Sequence, residues 1–478
     1  MSGGKLATAY ITLVGLPLLV VLWTLEAGRT LVAPALVPAP AMQHAMQSAR
    51  APLSAVLILF LQIAVILFAA RTVGIVFRKI GQPQVVGEMA AGILLGPSLF
   101  GWVAPGISQM LFPPASLDIL QILSQIGLAL FMFQVGLEVN PRELRGHSHA
   151  AVLTGHVSIV VPLCFGTGLA YFLYPRLSNN SVTFTGFALF MGTAMSITAF
   201  PVLARILTER KLLRTRLGHM AVACAAVNDV TGWCILAYIV VLVRAHHAAV
   251  PLWVTIGGTA VYIVVMTFGL RRMTPWFERS FRRAGYLSED ALALMILLML
   301  CSALVTERLG IHLLFGAFLM GTIMPKSDAL VRYIQHRFET LTTVVLLPLF
   351  FVCSGLRTSV SIRGENGFWI YALVAIAVAV AGKLGGTVVA ARVAGVPARE
   401  TAALGILMNT RGLMELVVLN IGLDLGVISQ TVFSIMVLMA LSTTFMTTPL
   451  LALVYRPRHE AVARTEVQPE EMILEGYS

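Results

Sequence analysis

Apolar residues run through this chain in long blocks, separated by short polar, Gly- or Pro-containing stretches. The blocks fall at about 6–25, 53–77, 85–101, 117–138, 148–174, 184–208, 217–243, 251–270, 289–307, 311–325, 339–356, 367–391, 401–423 and 428–455. A helix rises about 1.5 Å per residue, so roughly 20 such residues cross a hydrocarbon layer of about 30 Å. The pattern predicts an all-α polytopic membrane protein. The first block stands apart: Lys5 precedes it and a Pro/Ala-rich stretch, 32–40, follows it, as in signal peptides and in retained helices alike. Glu26-Ala27-Gly28 is a poor small-x-small cleavage site, so an extra retained N-terminal helix is expected. The organisation read from the pattern is a hydrophobic segment and loop over 1–51, a membrane domain over 52–455 and a short polar tail over 456–478.

Two blocks are interrupted in mid-membrane, at corresponding places in the two halves of the chain. The first break lies in GTAMSITAFPVLARIL (192–207), where Ser196 and Thr198 precede Pro201, which lacks a backbone donor. The second lies in GILMNTRGLMELVV (405–418), where Asn409, Thr410, Arg411 and Gly412 interrupt the run and Glu415 follows. One more long apolar block comes after each. Paired breaks of this kind point to a transporter built from inverted repeats, since irregular backbone at membrane depth must line a cavity or be buried in protein. Two ordinary kinked helices would give the same spacing.

Charge sharpens the membrane reading. Only 12% of residues are charged, against about 25% in soluble domains, and 58% are hydrophobic. When the blocks are threaded alternately across a bilayer, 23 Lys and Arg fall on one side together with both termini, and seven on the other. Such asymmetry assigns the cation-rich side to the cytoplasm, and an integral protein of a bacterial inner membrane is expected. It also accounts for the net charge of +11 without a nucleic-acid partner. The five cysteines sit in apolar stretches without metal-like spacing, and no nucleotide-binding or hydrolase motif occurs in a plausible context, so neither enzyme nor cofactor is expected. No segment of the sequence is long enough for a soluble regulatory domain.

Three cations belong to no loop: Arg205, Lys383 and Arg411. Arg205 is read as structural, snorkelling to the cytoplasmic surface. Lys383 has about ten apolar residues on each side, so a buried partner is expected, namely Asp229 or its neighbour Asn228. Those two lie midway along the apolar run 220–243. A carboxylate there costs roughly 2.5–3.5 kcal/mol on insertion scales, which marks Asp229 as a candidate functional site, the alternative being an Asp tied down by hydrogen bonds. Arg411 and Glu415 are four apart and suit either a structural pair or direct ion contact.

Several stretches resemble the monovalent cation:proton antiporter family, most closely the plant cation/H+ exchanger branch and its bacterial relatives. They are GQPQVVGEMAAGILLGPSLFG (81–101), LFMFQVGLEVNPREL (130–144), TAMSITAFPVLARIL (193–207), AVNDV (226–230), LPLFFVCSGL (347–356) and MNTRGLMELVVLN (408–420). The resemblance implies thirteen core helices from 53 to 455 in two inverted six-helix repeats, with two crossed broken helices. It implies a moving transport domain (148–243 and 367–455), a scaffold and dimer domain (53–138 and 289–356) and a linker helix (251–270). It places the cation and proton on Asp229, with Asn228, Thr198 and Ser196 completing the site and Lys383 as charge partner. Many relatives carry two adjacent acids where this chain has Asn228-Asp229, and the Asn-Asp form implies electroneutral exchange of Na+ or K+ for H+. The competing classes are a cation channel and a proton-coupled symporter of a small anion.

Overall fold

The computed structural model describes residues 3–34, 55–138, 149–178, 182–212, 215–245, 252–309, 312–359 and 367–455. All regular structure among these residues is helical. Apart from two short helices at Phe100–Val103 and Pro105–Leu111, the helices in chain order are α1 (Ala7–Thr30), α2 (Ala55–Lys79), α3 (Gln84–Leu95), α4 (Pro114–Glu138), α5 (His149–Leu177), α6 (Phe184–Ser196) and α7 (Phe200–Glu209). They continue with α8 (Arg216–Ala245), α9 (Leu252–Val264), α10 (Pro275–Ala284), α11 (Glu289–Arg308), α12 (Leu313–Ile323) and α13 (Asp328–Leu356). The last four are α14 (Phe368–Val393), α15 (Ala398–Met408), α16 (Leu413–Asp424) and α17 (Gln430–Val454).

Ten helical segments among the described residues are long and apolar enough to cross a membrane, one of them Gln84–Val103, which takes in α3 and the helical turn after it, and α6 and α12 are shorter apolar helices. Large side chains such as Phe60, Phe68, Phe172, Leu304 and Ile370 are exposed along these helices, as expected of a surface bathed in lipid. Three boundaries differ from the block pattern. The block 85–101 is interrupted after Leu95, where Pro97 holds Gly96 in an extended conformation, and helix resumes at Phe100–Val103. The block 339–356 is the second half of one continuous 29-residue helix, α13, since nothing between Asp328 and Leu341 breaks it. Block 251–270 leaves regular α-helix after Val264 and widens through a π-helical turn at Val265–Gly269.

The most extensive contacts fall into two groups. In one, α2 packs on α3, α3 on α13, and α4 and α11 on α12; in the other, α5 packs on α6, α8 and α14, and α14 on α15 and α17. Glycines let backbones touch inside each group. A Cβ added at Gly166 of α5 would stand 2.6 Å from Gly192 Cα of α6, and one at Gly355 of α13 would stand 2.6 Å from Gly92 Cα of α3. Without a hydrophobic drive between helices in lipid, such close backbone approach is what holds them together. The N-terminal helix lies on the second group: Ala9 packs with Leu153, Val157 and Ala390, and the Tyr10 hydroxyl is 3.2 Å from His156 Nδ1.

Prolines set three of the ties between helices. A proline inside a helix cannot donate to the carbonyl four residues back. Pro162 frees Ser158 O, which accepts from Lys383 Nζ at 2.8 Å. Pro449 frees Phe445 O, which accepts from Gln82 Nε2 at 3.0 Å. Pro348 frees Val344 O, which accepts from Arg71 Nη2 at 3.2 Å. In each case a distant polar side chain satisfies a carbonyl that would otherwise be costly in a membrane interior.

Candidate functional site

Helix α6 ends at Ser196, Ile197 is extended (φ −75°, ψ 137°), and the helix resumes at Phe200 as α7. Helix α15 ends at Met408, residues 409–412 are non-helical, and α16 starts at Leu413. The two breaks meet. Ala199 N donates to Thr410 O at 3.0 Å, and Thr198 Oγ1 donates to Met408 O at 3.0 Å. Gly412 allows the approach, since a Cβ there would stand 3.0 Å from Val202 Cγ2. The Pro201 and Arg205 side chains lie outside the described residues; the backbone at Pro201 is in the first turn of α7.

A helix end leaves carbonyls without intrahelical donors, and its dipole favours cations there. The end of α6 receives two. Arg411 Nη1 donates to Ala194 O at 3.1 Å and Nη2 to Met195 O at 2.7 Å, while Lys383 Nζ donates to Ser196 O. Lys383 reaches this point from a π-helical turn, Ala381–Gly385, where α14 carries an extra residue. Such turns are often found at functional sites. Arg411 and Lys383 are both fully buried.

Asn228, on α8, fastens the first break to the helix that carries Asp229. Its Oδ1 accepts from Thr198 N at 2.9 Å, and its Nδ2 donates to Ser158 Oγ at 3.2 Å and to Ser196 O at 3.4 Å. Lys383 and Asn228 therefore converge on Ser158 and Ser196, and the side-chain hydrogen bonds of Lys383 go to these two carbonyls. Asp229 is 7% exposed, and its carboxylate acts electrostatically on Lys383.

The remaining sequence candidates also gather here. Glu415 lies 3.5 Å from Arg411 Nη1, with both side chains buried. Ser196 donates its hydroxyl to Thr193 O at 2.9 Å and offers the site its carbonyl, not its Oγ. Thr410, in the break, donates back to Leu407 O in the last turn of α15, and Asn409 is buried with its Oδ1 unbonded. Among the described residues, the two breaks and their neighbours thus gather two buried cations, Lys383 and Arg411, and two buried carboxylates, Asp229 and Glu415, an arrangement in which removing any single charge leaves another uncompensated.

Three contributors went unmarked by the sequence patterns. Ser158 supplies both its hydroxyl and its carbonyl, and the signal was the serine four residues before Pro162. Thr444 of α17 accepts from Arg411 N at 2.9 Å and donates to Arg411 O at 2.6 Å, pinning the second break. Trp233, one turn along α8 from Asp229, meets Phe315 edge-on at 5.3 Å and stacks on Phe318 at 5.9 Å, both on α12.

Broken helices capped by buried cations, beside the buried carboxylates of Asp229 and Glu415, suit the handling of a small cation. Residues 32–453 match the model of the family described as sodium/hydrogen exchanger, transmembrane. This chain belongs to the sodium/hydrogen exchanger family. Members are transporters, not enzymes. The Na(+)/H(+) antiporter NhaS4 of Synechocystis is 42% identical over 407 residues, covering 84% of this chain and 98% of that protein. Cation/H(+) antiporter 18 of Arabidopsis thaliana is 38% identical over 87% of this chain, and K(+)/H(+) antiporter 1 of Saccharomyces cerevisiae 34% over 84%. The chain spans about half the length of those two relatives, 52% and 47%. The sodium proton antiporter MjNhaP1 from Methanocaldococcus jannaschii shares the fold, with a TM-score of 0.61 at 15% identity over 83% of this chain and 99% of that one. Like them, this exchanger-family chain is an integral membrane protein of many apolar helices.

Proposed function

We propose that this protein exchanges one monovalent cation, Na+ or K+, for one H+ across the membrane, with Asp229 as the shared seat. The observation that carries the reading is the position of Asp229: buried, next to an asparagine bonded into the first helix break, and within the field of Lys383. A protonated Asp229 is neutral. Loss of its proton yields a carboxylate that a dehydrated monovalent cation neutralises again, with oxygens around Thr198 and the broken backbone completing its shell. Both loaded forms carry the same charge through the low-dielectric core, which makes the cycle electroneutral. The empty, charged form resists the crossing.

Alternating access follows if the group built on 148–243 and 367–455 slides against the scaffold 53–138 and 289–356, joined by the linker 251–270. The two contact groups in the fold support that division. On this reading the thirteen helices from 53 to 455 form two inverted repeats that cross at the breaks, and α1 stands outside them. The Lys and Arg distribution supports cytoplasmic termini, NhaS4 supports a bacterial membrane, and the family resemblance supports a homodimer.

The test is pH dequenching in everted vesicles on addition of Na+, K+, Li+ or Rb+, with imposed membrane potential as a second variable. Cation-driven proton movement that ignores the potential is expected, and Asp229→Asn abolishes it while the protein still inserts. Cation flux without proton movement would make the protein a channel, and solute moving in the same direction as the proton would make it a symporter.

A further inference from the structure

The face carrying few Lys and Arg holds a cavity of about 270 Å³ where α4, α12 and α13 face α16. Its walls come from α4 (Gln121), the start of α12 (His312), α13 (Cys353), the residue after α13 (Arg357) and α16 (Asn420, Asp424). Arg357 spans the gap. Its Nη1 donates to Asn420 Oδ1 at 2.9 Å and its Nη2 to Asp424 Oδ1 at 2.6 Å. Asn420 and Asp424 are one turn apart on the same face of α16, so the planar guanidinium engages both at once. Two further contacts tie the same helix. Asn420 Nδ2 donates to Ser354 Oγ of α13 at 2.9 Å, and Gln121 Nε2 lies 3.4 Å from both Asp424 carboxylate oxygens. Below the cavity, Leu314 is in its wall, and the next residue, Phe315, meets Trp233, one turn from Asp229.

We propose that Arg357 is a positioning residue of the transport cycle: it clasps α16, the half-helix continuing from Arg411 and Glu415, to the scaffold, and holds this face closed above the Trp233–Phe315–Phe318 plug. The inference rests on the alternating-access reading. Helix α16 carries the second break at its first turn and the clasp at its last, about 17 Å away at 1.5 Å per residue. If α16 moves relative to α13, the three side-chain ties between them break together. The clasp therefore sets how often this face opens, without touching the cation.

The test uses the full-length protein in nanodiscs and reads the labelling rate of Cys353 with a soluble maleimide, located by mass spectrometry. Cys353 is a free, half-buried thiol in the cavity wall. Arg357→Ala is expected to label roughly three- to tenfold faster than wild type, the population shift for losing a partly exposed charge-assisted clasp. Asp424→Asn, a milder change, should label at an intermediate rate. The paired exchange Arg357→Asp with Asp424→Arg should return labelling towards wild type. In vesicles, Arg357→Ala should shift the apparent KM for the cation more than the maximal rate. Labelling and KM both unchanged in Arg357→Ala and in Asp424→Asn, with wild-type melting temperatures, would overturn the clasp. If wild-type protein shows no cation-dependent proton movement, the exchange reading fails instead, and the labelling series still reports whether the clasp holds the cavity shut.

Discussion

Asn228→Ala is the substitution whose effect follows most directly from the site geometry. Asn228 makes three hydrogen bonds, to Thr198 N, Ser158 Oγ and Ser196 O. Two of those partners keep another bond when it is removed: Ser158 Oγ still donates to Gly155 O at 2.7 Å, and Ser196 O still accepts from Lys383. Only the Thr198 N–H is orphaned, in a residue with no solvent exposure. Orphaning a buried donor costs about 1–3 kcal/mol, and each of the two lost bonds with a surviving alternative about 0.5–1.5 kcal/mol, for a total of about 2–6 kcal/mol. Ser158→Ala removes one hydroxyl whose loss orphans no backbone group, and should cost about 1 kcal/mol. Steric-trapping unfolding in bicelles measures both. The expected order is Asn228→Ala well below Ser158→Ala, with cation-driven exchange lost in the first and retained in the second. Equal destabilisation of the two variants, or an Asn228→Ala protein within about 0.5 kcal/mol of wild type, would refute the view that Asn228 holds the first break to α8.

Other consequences can be checked in the same preparations. Pro162→Ala supplies a backbone N–H that competes with Lys383 for Ser158 O; the protein should insert and melt normally while exchange falls several-fold, and unchanged exchange would show that the freed carbonyl is dispensable. Gly166→Val places a branched side chain where a single Cβ already comes within 2.6 Å of Gly192 Cα; overpacking of about 1–3 kcal/mol or more should lower the melting temperature in detergent, whereas Gly168→Val, with nothing within 4 Å of its added Cβ, should leave it unchanged. Arg411→Lys keeps the charge but loses the two-pronged grip on Ala194 O and Met195 O, so exchange should fall although Glu415 retains a cationic neighbour.

Much of the membrane architecture is legible because lipid imposes so few choices. A run of apolar residues about 20 long must be a helix, so α2, α5, α8, α14 and α17 are visible from composition alone. Boundaries are harder. The polar first half of α13 reads as loop, and only the missing helix breaker between Asp328 and Leu341 argues otherwise. At the site, isolated charges in apolar surroundings advertise themselves, which is why Asp229, Lys383 and Arg411 stand out. Ser158 and Thr444 do not, because a lone hydroxyl in an apolar helix usually bonds its own backbone, as Ser354 and Thr447 do. The contribution of Ser158 is mainly a carbonyl, and carbonyls have no letter in a sequence. Pro162, Pro348 and Pro449 are the readable trace, since each marks a freed acceptor four residues earlier, although nothing local says which distant side chain will claim it.

The central claim is that one carboxylate holds either a proton or a cation. Calorimetry of cation binding to the purified protein, repeated in buffers of different ionisation enthalpy, counts protons released per cation bound. On the acidic side of the site's own titration, wild type should release about one proton per cation, and the apparent affinity should weaken about tenfold for each unit of acidification. Asp229→Asn should show neither. Cation binding that releases no proton in the wild type, or that persists with the same proton release in Asp229→Asn, would contradict the account.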